Sequence, residues 1–427
     1  MIPIFLCLMK NKWRLLQIKY IKRCCFINND LRGGDLDKAK LKDVLDSILK
    51  NAVTRAGGVP GVVAMVTDKD GNIYEGAYGY RNIETKEPMT LDTVFAMFST
   101  TKAVTGLILM KLVEDGLVSL SDPVSKYLPE INDIEVLVGY DENGYPQTKK
   151  PDNEITIDML MLHTAGFGYE FFSEDDARYR EAKGVPSILT STAASLQSVL
   201  LFEPGTAWNY GVNIDWVGRV IEVVTGLRLE AAMKKYLFEP QNMKNISFTP
   251  PVDMKQRRAV IHLRNEEGTI SANTELAAPG TPEMDMGGHG LYASIDEYMK
   301  FIRVILNEGD NVLSPETVKQ MLTNGLGELK SGGWKTSNTT LSNDGEFFPG
   351  FDKTWAYTFQ VNETALPTGR PAKQVMWAGL ANLFYWIDVE NGIGGFWATQ
   401  VLPFHDPAAY LGYVEFESAV YGCLKNQ

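Results

Sequence analysis

The stretch Met97-Phe98-Ser99-Thr100-Thr101-Lys102 opens a run, Ala103, Val104, Gly106, Leu107, Ile108, Leu109 and Met110, that is apolar on nearly every side. A helix that is apolar all round is a buried helix. Ser99 and Lys102 therefore stand at the mouth of a core helix. Their spacing of three puts both side chains on one face, one turn apart. Free N–H groups and the helix dipole at that end favour a developing negative charge. Burial strips a lysine of proton affinity, and a serine becomes a useful nucleophile only beside such a base. On the motif alone, Ser99 also fits an N-cap and Lys102 a solvated first-turn residue. The apolar run that follows favours the reactive pair.

Composition narrows the field. The chain has 427 residues, 44% hydrophobic and 22% charged, with a formal net charge of −12. That length supports a large core in two or more structural units. The acidic balance argues against a nucleic-acid partner. Cys7, Cys24, Cys25 and Cys423 have neither metal-site spacing nor the density of a disulfide scaffold, which favours a reducing, cytoplasmic setting. HExxH, G-x-x-x-x-G-K-[ST] and G-x-S-x-G are missing, so zincin, P-loop and α/β-hydrolase readings lack a motif.

Residues 1–34 carry seven Lys or Arg and one acid, with a short apolar run, Ile2–Met9, ahead of the charges. That order is wrong for a secretory signal, and the run is too short to span a bilayer. A disordered leader is expected there rather than a membrane-surface helix. Residues 35–56 read as a helix stopped by Gly57-Gly58, and Gly61–Thr67 with Ile73–Tyr80 as a hairpin. Residues 155–286 read as mostly helical, and 325–350 as a mobile flap or loop. Strands are expected at Trp355–Val361, Gln374–Ala378, Phe384–Val389 and Gly394–Leu402, and a final helix over Pro407–Leu424. Strands at both ends with helices between predict an α/β domain from 35–130 plus 290–427, and a mostly helical inserted domain over 131–289.

Two further stretches complete a candidate site. Tyr210, in Trp208-Asn209-Tyr210-Gly211-Val212-Asn213, follows the turn Pro204-Gly205 and precedes a helix. A cationic lysine nearby favours its phenolate, which then takes a proton from serine. Trp377-Ala378-Gly379-Leu380 lies at a strand end, where glycine admits a ligand to the backbone. Each alone is also compatible with ordinary packing.

Ser99-x-x-Lys102, a tyrosine after a Pro-Gly turn and a Trp-x-Gly strand, in this order, resemble the serine β-lactamase-related superfamily, over about residues 40–425. More narrowly they resemble its class C-like esterases and the fungal lovastatin-type transesterases of secondary metabolism. Gly287-Gly288-His289-Gly290 and Leu402-Pro403-Phe404 add to the resemblance. It implies an antiparallel sheet flanked by helices, with an inserted mostly helical domain. By position it implies Ser99 as acylated nucleophile, Lys102 and Tyr210 as general base and acid, and the N–H groups of Ser99 and Leu380 as oxyanion hole. Tyr169, Trp377 and Gly379 would line the substrate pocket, and His163 and His289 would be structural. No metal or cofactor is implied. The partners would be a small-molecule acyl donor and an alcohol acceptor or an acyl-carrier protein.

Two departures bear on substrate. The lactamases and peptidases of this superfamily carry Tyr-x-Asn, where this chain has Val212 and the asparagine one residue later. Their Lys-Thr-Gly is here Trp377-Ala378-Gly379, an apolar wall in place of a charge that meets a substrate carboxylate. Acyl transfer on apolar esters or thioesters is the expectation. β-Lactam or D-alanyl peptide hydrolysis, and a non-catalytic binding role on the same scaffold, are the alternatives.

Overall fold

The computed structural model describes residues 38–274 and 282–424. The leader expected over 1–34 lies outside the described residues. Among those described, no helix is long and apolar enough to cross a membrane.

The core is an eight-stranded sheet in the order Lys353–Trp355, Gln360–Asn362, Gln374–Gly379, Leu383–Asp388, Ile393–Ala398, Gly61–Thr67, Asn72–Asn82 and Glu87–Pro88. Every neighbouring pair is antiparallel. The central strands are buried at every position, as a sheet covered on both faces requires. Gly394 approaches the side chain of Ile302, in the helix Ile295–Leu306. Trp397, three residues on and so on the opposite face, packs against Gly412 of the C-terminal helix Pro407–Leu424. The helix Lys38–Thr54 lies beside that C-terminal helix and against strands Asn72–Asn82 and Gly61–Thr67.

Two expected strands are shorter than the apolar pattern suggested. The expected strand Trp355–Val361 is a hairpin instead: residues 356–359 form its turn, between strands Lys353–Trp355 and Gln360–Asn362. The Ala356 N–H bonds back to the Phe359 carbonyl, and Thr358 takes a left-handed φ of 73°. Hydrophobicity marked burial there, and the turn geometry carried no Gly or Pro signal. Gly394–Leu402 breaks after Ala398. The Thr399 hydroxyl bonds the carbonyls of Ala381 and Asn382, and the Gln400 side chain pairs with both the N–H and the carbonyl of Ala96. The chain then joins another sheet, where Val401–Leu402 runs parallel to Ile261–Arg264.

The segment between the sheet's two halves carries helices Ile157–Met161, Glu174–Lys183, Asn213–Thr225, Leu229–Met233 and Val252–Gln256. It also carries the hairpins Val136–Tyr140 with Pro146–Lys149 and Ile261–Arg264 with Ile270–Asn273. Its strand Ile246–Ser247 pairs with Tyr292–Ser294. The helix Thr101–Glu114 packs against Asn213–Thr225. The helix opened by Ser99 therefore lies between the sheet's flanking layer and this segment, with eleven of its fourteen residues buried.

Candidate active site

Ser99 sits in the 3₁₀ turn Phe98–Thr100, which leads directly into the helix Thr101–Glu114. The residue before it, Phe98, holds a left-handed φ of 45°. For a bulky residue that conformation costs on the order of 1–3 kcal/mol and persists only where the surroundings enforce it. The enforcement is visible. The Met97 N–H bonds the Leu291 carbonyl, and the end of strand Gln374–Gly379 presses on this turn. A Cβ on Gly379 would lie 2.6 Å from the Met97 carbonyl oxygen and 3.4 Å from the Ser99 nitrogen. Only glycine lets the strand come this close.

Lys102 is fully buried. Its Nζ donates to the Tyr169 hydroxyl at 2.8 Å, to the Gly288 carbonyl at 2.8 Å and to Ser99 Oγ at 3.4 Å. Three donors meet three acceptors. Desolvation brings its pKa down to about 7, against the partial restoring pull of the Asp215 carboxylate. At neutral pH a large fraction of Lys102 is the free amine that a base requires.

Tyr210 is half-buried, and its ring lies beneath Lys102 Nζ, 4.7 Å from the ring centre. Its hydroxyl accepts from Trp377 Nε1 at 3.1 Å. Burial pushes the phenol pKa upward, while hydrogen bonds with Ser99 and Trp377 draw it partly back. The expectation of a phenolate beside an ammonium is therefore corrected. Lys102 meets the face of this ring rather than its oxygen, and burial favours the neutral phenol. Ring contacts with His163, Trp355 and Trp377 hold Tyr210 in place. Main-chain support comes from His163, whose Nδ1 accepts from the Gly211 N–H, while Asn213 pairs with the same nitrogen at 2.8 Å. Asn213, the displaced asparagine of the tyrosine motif, is thus occupied beneath the site.

Ser99, Tyr210, Trp377, Gly379 and Leu380 line one cavity of about 140 Å³. Its walls are mostly aromatic: Phe171, Phe172, Trp208, Trp334 and Phe404. Lys335 stands at its edge, paired with Asp344 at 2.8 Å. Tyr169, placed in the pocket by resemblance, lies behind it instead. It is 2% exposed and meets the lysine rather than the cavity. Its ring stacks on Phe171 of the cavity wall at 4.9 Å, while its hydroxyl meets Lys102 Nζ.

Sequence reasoning missed Phe171 and Phe172 in the wall and three further contributors. The irregular segment 325–350 supplies Trp334 to the wall, tied down by bonds from Thr336 and Ser337 to the carbonyls of Phe171 and Glu170. Gly288, noted only as part of a motif, accepts from Lys102. Asp215, fully buried in the first turn of Asn213–Thr225, accepts from the Gly288 N–H at 2.8 Å. An acid in an otherwise apolar helix start was the available signal for Asp215. Among the described residues no group of three or more His, Cys, Asp or Glu side chains is arranged to hold a metal.

A serine, a buried lysine and a tyrosine at one cavity can be compared with known proteins. The beta-lactamase family model matches residues 45–419. The chain belongs to the beta-lactamase family. Within that family it is similar to the ML-236A carboxylate methylbutanoyltransferase mlcH of Penicillium citrinum, 27% identical over 89% of this chain and 94% of that protein. It is similar also to the lovastatin esterase of Penicillium rubens, 28% identical over 84% of this chain and 93% of that one. Among solved structures, a simvastatin synthase mutant from Aspergillus terreus superposes with a TM-score of 0.78 at 25% identity, covering 92% and 99% of the two chains. This beta-lactamase-family member is an enzyme of the acyltransferase and esterase type, and its sheet-and-helix architecture is that of the family.

Proposed function

We propose that the protein moves a small apolar acyl group from an ester or thioester onto Ser99, and from there to an alcohol or to water. The observation that carries this reading is the buried Lys102, with a pKa near neutrality, within 3.4 Å of the Ser99 hydroxyl at the floor of an aromatic cavity. In the first half, the Lys102 amine takes the Ser99 proton as Oγ bonds to the acyl carbon. The carbonyl oxygen becomes an oxyanion facing the N–H groups of Ser99 and Leu380. The intermediate collapses, the bond to the donor oxygen or sulfur breaks, and that atom leaves with a proton from the site. The neutral Tyr210 phenol, hydrogen-bonded to Ser99, is suited to pass it. The Lys102 ammonium gives up its proton through Tyr210 in that step, so the amine is free again. In the second half the acceptor loses its proton to Lys102 as it bonds to the acyl carbon, the bond from that carbon to Ser99 Oγ breaks, and Oγ takes the proton back.

The cavity wall supports apolar substrates. Trp377 occupies the place of the family's lysine and donates to Tyr210, and the Lys335 charge at the rim is met by Asp344. This disfavours the carboxylate-bearing β-lactams and D-alanyl peptides. Branched short acyl groups of the methylbutanoyl kind, with an alcohol acceptor or an acyl-carrier protein as donor, fit the similarity to the transferases named above. A cytoplasmic setting, with residues 35–130 and 290–427 as one domain and 131–289 as an inserted one, belongs to the same reading.

The test is intact-mass spectrometry after mixing with the p-nitrophenyl ester of a short branched acid. The expected result is a single acyl adduct that Ser99→Ala abolishes. An unchanged adduct in Ser99→Ala, or none in the wild type with any short ester or thioester, overturns the reading. Adding an alcohol to the acylated protein and measuring ester against acid product separates transferase from esterase.

A further inference from the structure

Lys102 and Asp215 do not touch, yet one residue joins them. Gly288 accepts from Lys102 Nζ through its carbonyl at 2.8 Å and donates to Asp215 Oδ1 through its N–H at 2.8 Å. We propose that Asp215 is a positioning residue for acyl transfer: through Gly288 it fixes Lys102 opposite Ser99, and it supplies the buried negative charge that offsets the ammonium formed as Ser99 is acylated. This rests on the reading of Lys102 as the base.

Among the described residues every other ionisable group facing Lys102 is neutral or already paired, including His289, whose Nδ1 also lies 3.7 Å from Asp215 Oδ1. His289 and His163 are held uncharged, first by burial and then by the lysine itself. The Tyr169 and Tyr210 phenols are kept protonated by burial. Glu170, further off, lies against Arg180, which is also bound to Asp176. Ser99 is neutral. That leaves Asp215 as the group whose charge pulls on Lys102. Its geometry is built for the task. It is fully buried, and its Oδ2 has no hydrogen-bond partner, so the carboxylate's charge is incompletely quenched by local donors. A Cβ on Gly288 would lie 2.4 Å from that oxygen, so glycine is needed for the contact. Asp215 is not among the cavity-lining residues, so its influence falls on the base and not on substrate binding.

The consequence has two signs. Without the carboxylate the Lys102 ammonium is less stable, so the resting lysine sheds its proton at lower pH. The same loss weakens Lys102 as a proton acceptor, so the plateau rate falls. The experiment is the pH dependence of the acylation burst with a p-nitrophenyl ester, in the wild type, Asp215→Asn and Gly288→Ala. Asparagine keeps the shape and an acceptor for the Gly288 N–H. We expect the acid limb to move down by about one pH unit, as loss of one nearby opposite charge implies. The plateau rate should fall several-fold with KM nearly unchanged. Gly288→Ala, which drives a methyl group into the carboxylate, should move the limb the same way and decides the matter if Asp215→Asn does not fold. A folded variant with the wild-type acid limb overturns the inference while leaving Ser99 as nucleophile. A wild type with no burst at any pH instead removes the reading of Ser99, and the role of Asp215 with it.

Discussion

The Nζ of Lys102 is closer to the hydroxyl of Tyr169, at 2.8 Å, than to that of Ser99, at 3.4 Å. The lysine is therefore anchored from behind and presented to the serine, and the anchoring tyrosine never reaches the cavity.

Tyr169→Phe removes one of the three acceptors around a buried amine. A hydrogen bond to a charged group contributes about 1.5–3 kcal/mol, so kcat should fall roughly ten- to a hundredfold. KM should stay within about twofold, because Tyr169 does not line the cavity. Steady-state kinetics on a p-nitrophenyl ester check this. A raised KM with unchanged kcat would place Tyr169 against the substrate instead.

Gly379→Ala places a methyl group 2.6 Å from the Met97 carbonyl. The strand must retreat from the Ser99 turn, which should draw apart the N–H groups of Ser99 and Leu380 proposed above as the oxyanion donors. Losing one oxyanion donor costs on the order of a hundredfold in kcat. Overpacking should lower stability by only about 1–3 kcal/mol. Acylation rates and thermal melts on the same sample separate the two effects. Full activity in a folded Gly379→Ala would show that the strand end takes no part.

Acid should destabilise the protein earlier than its carboxylates alone imply. Burial lowers the pKa of all four histidines: His163, His262, His289 to about 3 and His405 to about 4. Below about 6.5 the unfolded chain binds protons that the folded chain refuses, so stability falls as pH falls, by up to about 1.4 kcal/mol per pH unit for each histidine. Asp215 acts oppositely. Burial raises its pKa to about 6, so the folded protein gains one proton there. Burial also raises the carboxyl pKa of Asp176, Glu222 and Glu415, but the histidines, whose free value of about 6.5 falls inside the window, dominate between pH 7.5 and 5.5, and the melting temperature should drop there. His405→Gln should flatten the slope. A melting temperature that rises over this range would contradict the buried, neutral histidines.

Arg370 and Glu417 form a fully buried ion pair at 2.7 Å that joins the C-terminal helix to the loop before strand Gln374–Gly379. Arg370→Met leaves Glu417 charged and unpaired and should cost about 3–5 kcal/mol in urea denaturation. Arg370→Met with Glu417→Leu should recover much of that loss, since an apolar pair of similar volume is often neutral. A double variant as unstable as the single one would mean that shape, not charge, sets the cost.

Much of this protein is written in local pattern. The all-round apolar run after Lys102 marks a buried helix because no polar face is left to solvate. The hairpin at Asp68–Asn72, the strands Gln374–Gly379 and Leu383–Asp388 and the last helix follow from period and turn chemistry. The ordered trio of Ser99, Lys102 and Tyr210, with Trp377 and Gly379, pointed to one cavity through the family resemblance they carry together, since each stretch alone is also compatible with ordinary packing. What tertiary structure alone decided is which groups meet. Tyr169 and Tyr210 are equivalent as residues, yet packing turns one hydroxyl to the lysine and the other to Trp377. The charge state of Tyr210 depends on burial, which no spacing reveals. Asp215 reaches Lys102 only because Gly288, distant in the chain, is threaded between two helices. Local order along a chain sets helices and strands, but proton affinity and reach are set by whatever the fold brings within a few ångströms.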